Sequence, residues 1–139
     1  MFLRLAAYSL AFLFFNNSVQ AEPVIEGRGN CIKLVNGKPS EFQICLTERW
    51  SGGGNNFIKY KIDHDTFLVR QKIGEKRIAH LSKYQDKQEV KIEVVDRYLD
   101  TLKEIKDFSS VSGKHGLCYT TLNKKNGFCA LPVHMVAPR

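Results

Sequence analysis

The sequence predicts a small α+β domain, an antiparallel β-meander or sheet covered by one amphipathic helix and stapled by two disulfides. Three observations lead to this fold class. Short segments between residues 31 and 81 alternate apolar and polar side chains, which is the period of a half-buried strand. Between residues 94 and 108, apolar residues recur at spacings of three and four, which is the period of a helix. Four cysteines form two groups, and each group brackets a turn signal.

Residues 1–21 are predicted to be an export signal peptide that is cleaved. Arg4 is the only charged residue in this segment, and the apolar run at residues 5–15 is too short to span a membrane. A small-x-small motif ends at Ala21, where cleavage is expected. Residues 22–139 are then expected to form a single disulfide-stabilised α+β domain, exported to the periplasm or the extracellular space.

The charge of the chain bounds the class of partner. The sequence has 21 Lys and Arg against 14 Asp and Glu, and loss of Arg4 with the leader leaves 20 against 14, about +6. This balance favours an acidic protein partner, and it also suits an anionic membrane surface, although the mature sequence has no anchor. Nucleic acid is not favoured, because the lysines are dispersed rather than packed into one run. A monomer or a small homo-oligomer is expected.

The first predicted hairpin turns at Asn36-Gly37, because both residues accept positive φ. Its second strand runs from Phe42 to about Trp50. With a three-residue loop at residues 37–39, Cys31 would lie opposite Cys45. One more loop residue would shift this register by one.

The middle of the chain is predicted to continue the meander. The glycine-rich segment at residues 51–56 is interpreted as a flexible hairpin loop, since it lacks the pattern of a phosphate loop. Residues 57–62 form a strand with Lys59 and Lys61 on its polar face. Asp63-His64-Asp65 is predicted to be a turn. Further strands are predicted at residues 66–71 and 77–81.

The helix is predicted from about residue 86 to residue 108. Asp86 and Glu89 have the spacing of a capping box, and the apolar stripe that follows would cover the sheet. An alternative stays open at its start. Residues 87–94 contain alternating β-branched side chains and would equally suit a strand that leads into a shorter helix.

A second hairpin is predicted over residues 116–131. If Asn123-Lys124 is its two-residue turn, Cys118 lies directly opposite Cys129. Asn126-Gly127 offers a competing turn that would break this match.

The four cysteines are predicted to form two structural disulfides. The hairpin geometry favours the local pairs Cys31–Cys45 and Cys118–Cys129, and a crossed pairing between the two hairpins stays open. A zinc site is disfavoured, because the spacing contains no Cys-x-x-Cys and export disfavours free thiolates.

The sequence shows no catalytic or cofactor-binding motif, so the chain is interpreted as a binding protein rather than an enzyme. It contains no Gly-x-Ser-x-Gly, no Cys-x-x-Cys and no spaced histidine pair, and neither a metal nor a cofactor is expected. The leading hypothesis is an inhibitor or immunity protein that occludes a partner enzyme or toxin. The predicted contact residues are Trp50, Asn55, Asn56, Lys59, Lys61, Asp63, His64 and Asp65.

Two other functions stay open. A secreted hydrolase acting on an acidic polymer such as RNA or wall glycan would use His64, His80 or His115 as a general base. A binder of small ligands or lipids would enclose an apolar pocket between the helix and the sheet.

Overall fold

The computed structural model describes residues 24–83 and 88–132, and in these ranges the regular secondary structure is nearly all β-strand. The strands are β1 (Ile25–Val35), β2 (Lys38–Pro39), β3 (Gln43–Gly52), β4 (Asn55–Ile62), β5 (Asp65–Lys72), β6 (Ile78–Lys83), β7 (Val90–Tyr98), β8 (His115–Thr121) and β9 (Gly127–Ala130). β1 pairs antiparallel with β3, and from β3 to β9 each strand pairs antiparallel with the next. β1 also pairs with β9, which closes eight strands into a barrel. The short β2 extends the sheet beside the end of β1.

The predicted α+β class is wrong, because the segment assigned to the helix forms strand β7 and a loop. β7 pairs with β6 on one side and β8 on the other. Ile92 and Val94 point into the barrel, and Val95 and Arg97 are buried on the outside. A strand buried on both faces loses its clean alternation, and its run of apolar residues then imitates helical spacing. Asp86, the first residue of the proposed capping box, lies outside the described residues.

The loop that follows β7 does cover the sheet, although as irregular chain rather than as a helix. Residues 99–105, here called the strap, fold back along the outside of β7. The Ile105 amide donates to the Asp96 carbonyl over 2.8 Å, and the Tyr98 amide donates to the Lys103 carbonyl over 3.0 Å. Leu99 and Ile105, the first and last residues of the strap, are buried. A 3-10 turn at Phe108–Ser110 is the helical element among the described residues.

The barrel interior is filled by aromatic and branched side chains. Phe128 is fully buried at its centre, with its ring centroid 4.7 Å from that of Tyr60, 5.0 Å from Phe67 and 4.8 Å from Tyr119. An eight-stranded barrel is just narrow enough for side chains to fill it. The interior is therefore a packed core. Its other buried members include Ile62, Val69, Leu81, Ile92 and Val94.

A second apolar cluster lies on the outside of the barrel. It contains Ile32, Leu34, Leu99, Cys118, Cys129 and Leu131, and Phe42 and Leu102 pack against it. The strap contributes two of these side chains, Leu99 and Leu102. One side of the barrel is therefore covered by the chain itself, whereas the outward face of β3 to β5 lies across the barrel from the strap.

Both local disulfides are present, and their positions test the predicted registers. Cys118 lies directly opposite Cys129, as the turn centred on residues 123 and 124 requires. The first hairpin instead has a two-residue turn at Asn36-Gly37, with φ of 52° and 77°. The register shifts by one residue between β2 and β3, so that Cys45 faces Gly29, and its bond to Cys31 runs diagonally along the interior face. The predicted directly opposite placement of that pair is wrong.

The two disulfides are compatible with an oxidising, exported compartment. No helix in the described part of the chain is long and apolar enough to cross a membrane. The proposed signal peptide, residues 1–21, lies outside the described residues.

Candidate functional site

Strands β3, β4 and β5 present a continuous outward surface, because every second residue of each strand points away from the packed interior. Cross-strand register aligns these side chains in rows. We call this set the outer face. Its members are Ile44, Leu46, Glu48 and Trp50 on β3, Phe57, Lys59 and Lys61 on β4, and Thr66, Leu68 and Arg70 on β5.

An aromatic pair forms one end of the outer face. Trp50 and Phe57 are cross-strand partners, and their rings stack at a centroid distance of 5.4 Å and an angle of 11°. Arg70 continues the row on β5. Its guanidinium donates to both oxygens of Glu89, at 2.7 and 3.0 Å, and these hydrogen bonds lower the pKa of that carboxyl. The arginine is thereby held beside the aromatic pair.

Apolar and cationic side chains alternate along the rest of the outer face. Ile44 and Leu46 are 55% and 51% exposed, which is high for large aliphatic side chains. Lys59 forms an ion pair with Glu48 at 3.0 Å, and Lys61 lies opposite Leu46 in the register. Leu46, Glu48, Lys59, Lys61 and Thr66 line a surface depression of about 420 Å³. This depression has an apolar edge and two ammonium groups.

The predicted contact residues Asn55 and Asn56 lie at the end of the barrel that carries the β3–β4 turn. This turn is closed by two residues, Gly53 and Gly54, both at positive φ, rather than by an open loop. Asn55 donates to the Gly53 carbonyl and accepts from Arg70. Asn56 points inward and accepts from Ser51 Oγ at 2.7 Å.

The predicted contact residues Asp63, His64 and Asp65 lie at the opposite end of the barrel. They form the predicted tight turn between β4 and β5, with His64 almost fully exposed. Lys33 Nζ lies 3.2 Å from Asp65 and 3.9 Å from Asp63. At about 3.3 Å per residue, the length of β4 separates this turn from Asn55 by roughly 25 Å. The structure therefore brings Trp50, Lys59 and Lys61 onto one face, with the turn just beyond Lys61 and with Trp50 and Asn55 at the far end.

The described histidines lie in three separate places. His64 is in the β4–β5 turn, His80 points outward from β6, and His115 begins β8 at the other end of the barrel from His64. In residues 24–83 and 88–132, no group of three or more His, Cys, Asp and Glu side chains could hold a metal ion. This arrangement offers no pair of histidines for shared acid–base chemistry.

Seven members of the outer face were missed by the sequence analysis: Ile44, Leu46, Glu48, Phe57, Thr66, Leu68 and Arg70. A signal for Phe57 was present, since a two-residue Gly53-Gly54 turn places it directly opposite Trp50. The exposure of Ile44 and Leu46 follows only from the closure of the barrel on the side of Cys45 and Ile62.

The raised pKa of Asp96 predicts that the stability of the fold depends on pH. Burial raises the pKa of Asp96, and the nearby charge of His115 partly lowers it. A carboxyl with a higher pKa when folded binds more protons in the folded state, so stability falls as the pH rises through this range. Asp96→Asn is expected to raise the free energy of unfolding at neutral pH and to lose this gain below about pH 3.8, the ordinary aspartate pKa.

Urea denaturation of both proteins from acidic to neutral pH measures this effect. Glu75→Gln, at an exposed carboxylate in the β5–β6 loop, is the matched control and should change little at any pH. An equal gain for Asp96→Asn at acidic and neutral pH would contradict the assignment.

Comparisons of the chain with protein-family models, with curated proteins and with solved structures find no match.

Proposed function

We propose that the chain is an exported binding protein that occludes an acidic partner, an enzyme or a toxin, with the outer face. The observation that carries this proposal is the composition of that surface. Exposed aliphatic residues, a stacked aromatic pair and cationic side chains share one side of a rigid, disulfide-stabilised barrel.

The exposed apolar residues support a protein partner. Single exposed aliphatic side chains are normal, but a continuous apolar patch rimmed by polar groups marks an interaction surface. Ile44 and Leu46 are neighbours on the outward side of β3, and the ion-paired Glu48 separates them from Trp50 at the far end of that side. Trp and Arg are the residue types that most often dominate the binding energy of an interface.

The charge supports an acidic partner. Lys61 and Lys59 lie on the outer face, and Arg28 on β1 lies opposite Leu46. The whole chain carries a net charge of +7. Complementary charge accelerates encounter and selects against cationic competitors, while the apolar residues supply the buried area.

The two alternatives have less physical support. A hydrolase would need acid–base groups within reach of one another, and the described histidines lie on three different parts of the barrel. A lipid or small-molecule binder with an internal pocket would need interior space, which Phe128 and its aromatic neighbours fill.

Export to the periplasm or beyond, with cleavage near Ala21, belongs to the occlusion proposal. The N-terminal sequence of the secreted protein tests it.

The occlusion proposal predicts that charge reversal on the outer face abolishes partner binding. The double variant Leu46→Glu/Lys61→Glu is expected to weaken binding at least about 100-fold, or ~3 kcal/mol, because it buries two carboxylates against an acidic surface. The measurement uses immobilised mature protein, extracts of the exported fractions of the producing strain and its competitors, and the affinity of each purified captured protein. The captured partner should lose its own activity on stoichiometric addition of the wild-type protein.

Leu122→Glu/Lys38→Glu is the matched control. It introduces the same change in charge at exposed positions near the β8–β9 turn and on β2, away from the outer face, and should retain binding. The proposal fails if both double variants retain the same proteins, or if the outer face captures RNA, glycan or lipid but no protein.

A further inference from the structure

A cavity of about 600 Å³ opens at the end of the barrel that carries the β3–β4 turn. We call it the mouth pocket, and its wall includes Ile25, Arg49, Trp50, Asn56, Ile58 and Gln71. Its volume lies within the range of about 300–1,000 Å³ that is usual for small-molecule sites. The mouth pocket differs from the outer face because three of its wall residues, Arg49, Asn56 and Ile58, lie on the inward side of β3 and β4.

Arg49 is the only positively charged member of this wall. Arg70, Arg77 and Arg97 each bind a glutamate. Within the described residues, Arg49 makes no hydrogen bond and no ion pair. It lies close enough to the buried Tyr60 and Tyr119 hydroxyls, which are 3.0 Å apart, for its charge to act on both. Burial raises the pKa of both phenols, and the Arg49 charge partly offsets that rise.

The neighbouring polar groups add donors beside this cation. Asn56 lines the pocket, and its Oδ1 accepts from Ser51 Oγ, so its amide nitrogen is its remaining donor. A guanidinium presents parallel N–H donors that match the two oxygens of a carboxylate. A phosphate would be better served by several cations or by successive backbone amides, which this wall does not combine.

The rest of the wall is apolar. Ile25 and Ile58 flank Arg49 in one cross-strand row, Ile25 on β1 and Ile58 on β4. The Trp50 and Phe57 rings border the same space. A ligand that places a carboxylate against Arg49 would therefore bury its carbon stem against these side chains.

We propose that the mouth pocket binds an organic carboxylate on an apolar or aromatic stem. The carboxylate can belong to a free small acid or to an acidic side chain of a protein partner, and the chemistry at Arg49 is the same. The mouth pocket shares Trp50 and Phe57 with the outer face, but its charge contact is Arg49 on the inward side of β3, so substitution of Arg49 tests it separately from the occlusion proposal.

The test is a titration of the isotopically labelled mature protein, followed by amide chemical shifts in NMR spectra. 3-Phenylpropionate is the probe, and its neutral analogue 3-phenylpropanamide is the matched ligand. We expect saturable shifts at Asn56, Ile58, Gln71 and the Arg49 side chain, with at least about 10-fold weaker binding of the amide. A capped Leu-Glu-Leu peptide and its Leu-Gln-Leu analogue test the protein-borne source in the same way.

Three variants check the site. Arg49→Met should remove the preference for acid over amide, and Arg49→Lys should keep part of it. Arg28→Met, at an arginine on the outward side of β1, should change nothing. Leu46→Glu/Lys61→Glu should also leave probe binding intact, which separates this proposal from the previous one.

Saturable binding of the acid alone identifies a free acid as the source, and binding of the Glu peptide alone identifies a protein side chain. Either result supports the site. Equal binding of acid and amide, unchanged binding by Arg49→Met, or the absence of saturable shifts at the pocket for every carboxylate probe would overturn it.

Discussion

Replacing Phe128 with alanine is expected to lower the free energy of unfolding by about 4 kcal/mol. Phe128 is fully buried, and its ring contacts those of Tyr60, Phe67 and Tyr119 at centroid distances of 5.0 Å or less. The substitution removes a large apolar surface and leaves a cavity among rigid rings on three different strands, which limits collapse of the site. Urea denaturation with the disulfides intact measures the change.

A graded comparison separates packing from a general effect of mutation. Phe128→Leu keeps most of the volume and should cost clearly less than Phe128→Ala. Phe108→Ala is the control, because Phe108 is 60% exposed in the 3-10 turn and should change stability by less than about 0.5 kcal/mol. Similar costs for Phe108→Ala and Phe128→Ala would show that the barrel interior is not the stabilising core.

The second large effect is expected at the buried arginine under the strap. Arg97 is only 2% exposed, and its Nη2 donates to Glu93 Oε1 at 2.9 Å while Nη1 donates to the Leu102 carbonyl at 3.2 Å. Its Nε has no hydrogen-bond partner among the described residues. Glu93→Gln is expected to cost about 2 kcal/mol, because it leaves a buried charge without its nearest counter-charge.

Removing the positive charge of Arg97 should lower the free energy of unfolding less than Glu93→Gln does. Arg97→Met replaces the buried cation by an apolar chain of similar length, and exchange of buried ion pairs for apolar residues is often nearly neutral. The double variant Glu93→Gln/Arg97→Met should then be no less stable than Glu93→Gln alone, a non-additivity that a double-mutant cycle measures.

Arg77 provides the matched control for this pair. Its side chain is 53% exposed and bridges Glu93 and Glu104, so Arg77→Met should cost at most about 1 kcal/mol. A larger cost for Arg97→Met than for Glu93→Gln would mean that the arginine stabilises the strap mainly through the Leu102 carbonyl. Hydrogen exchange of the Ile105 amide, which bonds to β7, would report the loosening directly.

The turns were predictable because their chemistry is local. Asn36-Gly37 and Asp63-His64 each form the tight turn that their residue types favour, and Cys118 faces Cys129 because a turn centred on residues 123 and 124 requires it. The alternation along β4 also placed Lys59 and Lys61 on the polar side correctly with respect to Tyr60 and Ile62.

The candidate sites were less predictable than the turns. The contact residues near Trp50 and those near His64 are close in sequence, but β4 holds them at opposite ends of the barrel. Arg49 drew no attention in the sequence, because an arginine next to a tryptophan has no distinctive pattern. Cys45 is buried in the barrel interior, and Arg49, four residues further along β3, lies on the same side of the strand. This is why Arg49 lies at the mouth pocket.

The tight turns and the basic charge were predictable from the sequence, since each depends on residues within a few positions or on a simple count. The sequence also favoured the local disulfide pairs, and the structure excludes the crossed pairing that had stayed open. Tertiary contacts were needed to show that the strand suggested at residues 87–94 continues to Tyr98 as β7, and that β1 meets β9. The pairing of Ile32 with Cys129 joins residues almost a hundred positions apart, and no local pattern encodes it. Burial of β7 on both faces, by the barrel interior and by the strap, is a consequence of that closure, and from Val94 onward it hid the alternation that would have identified the rest of the strand.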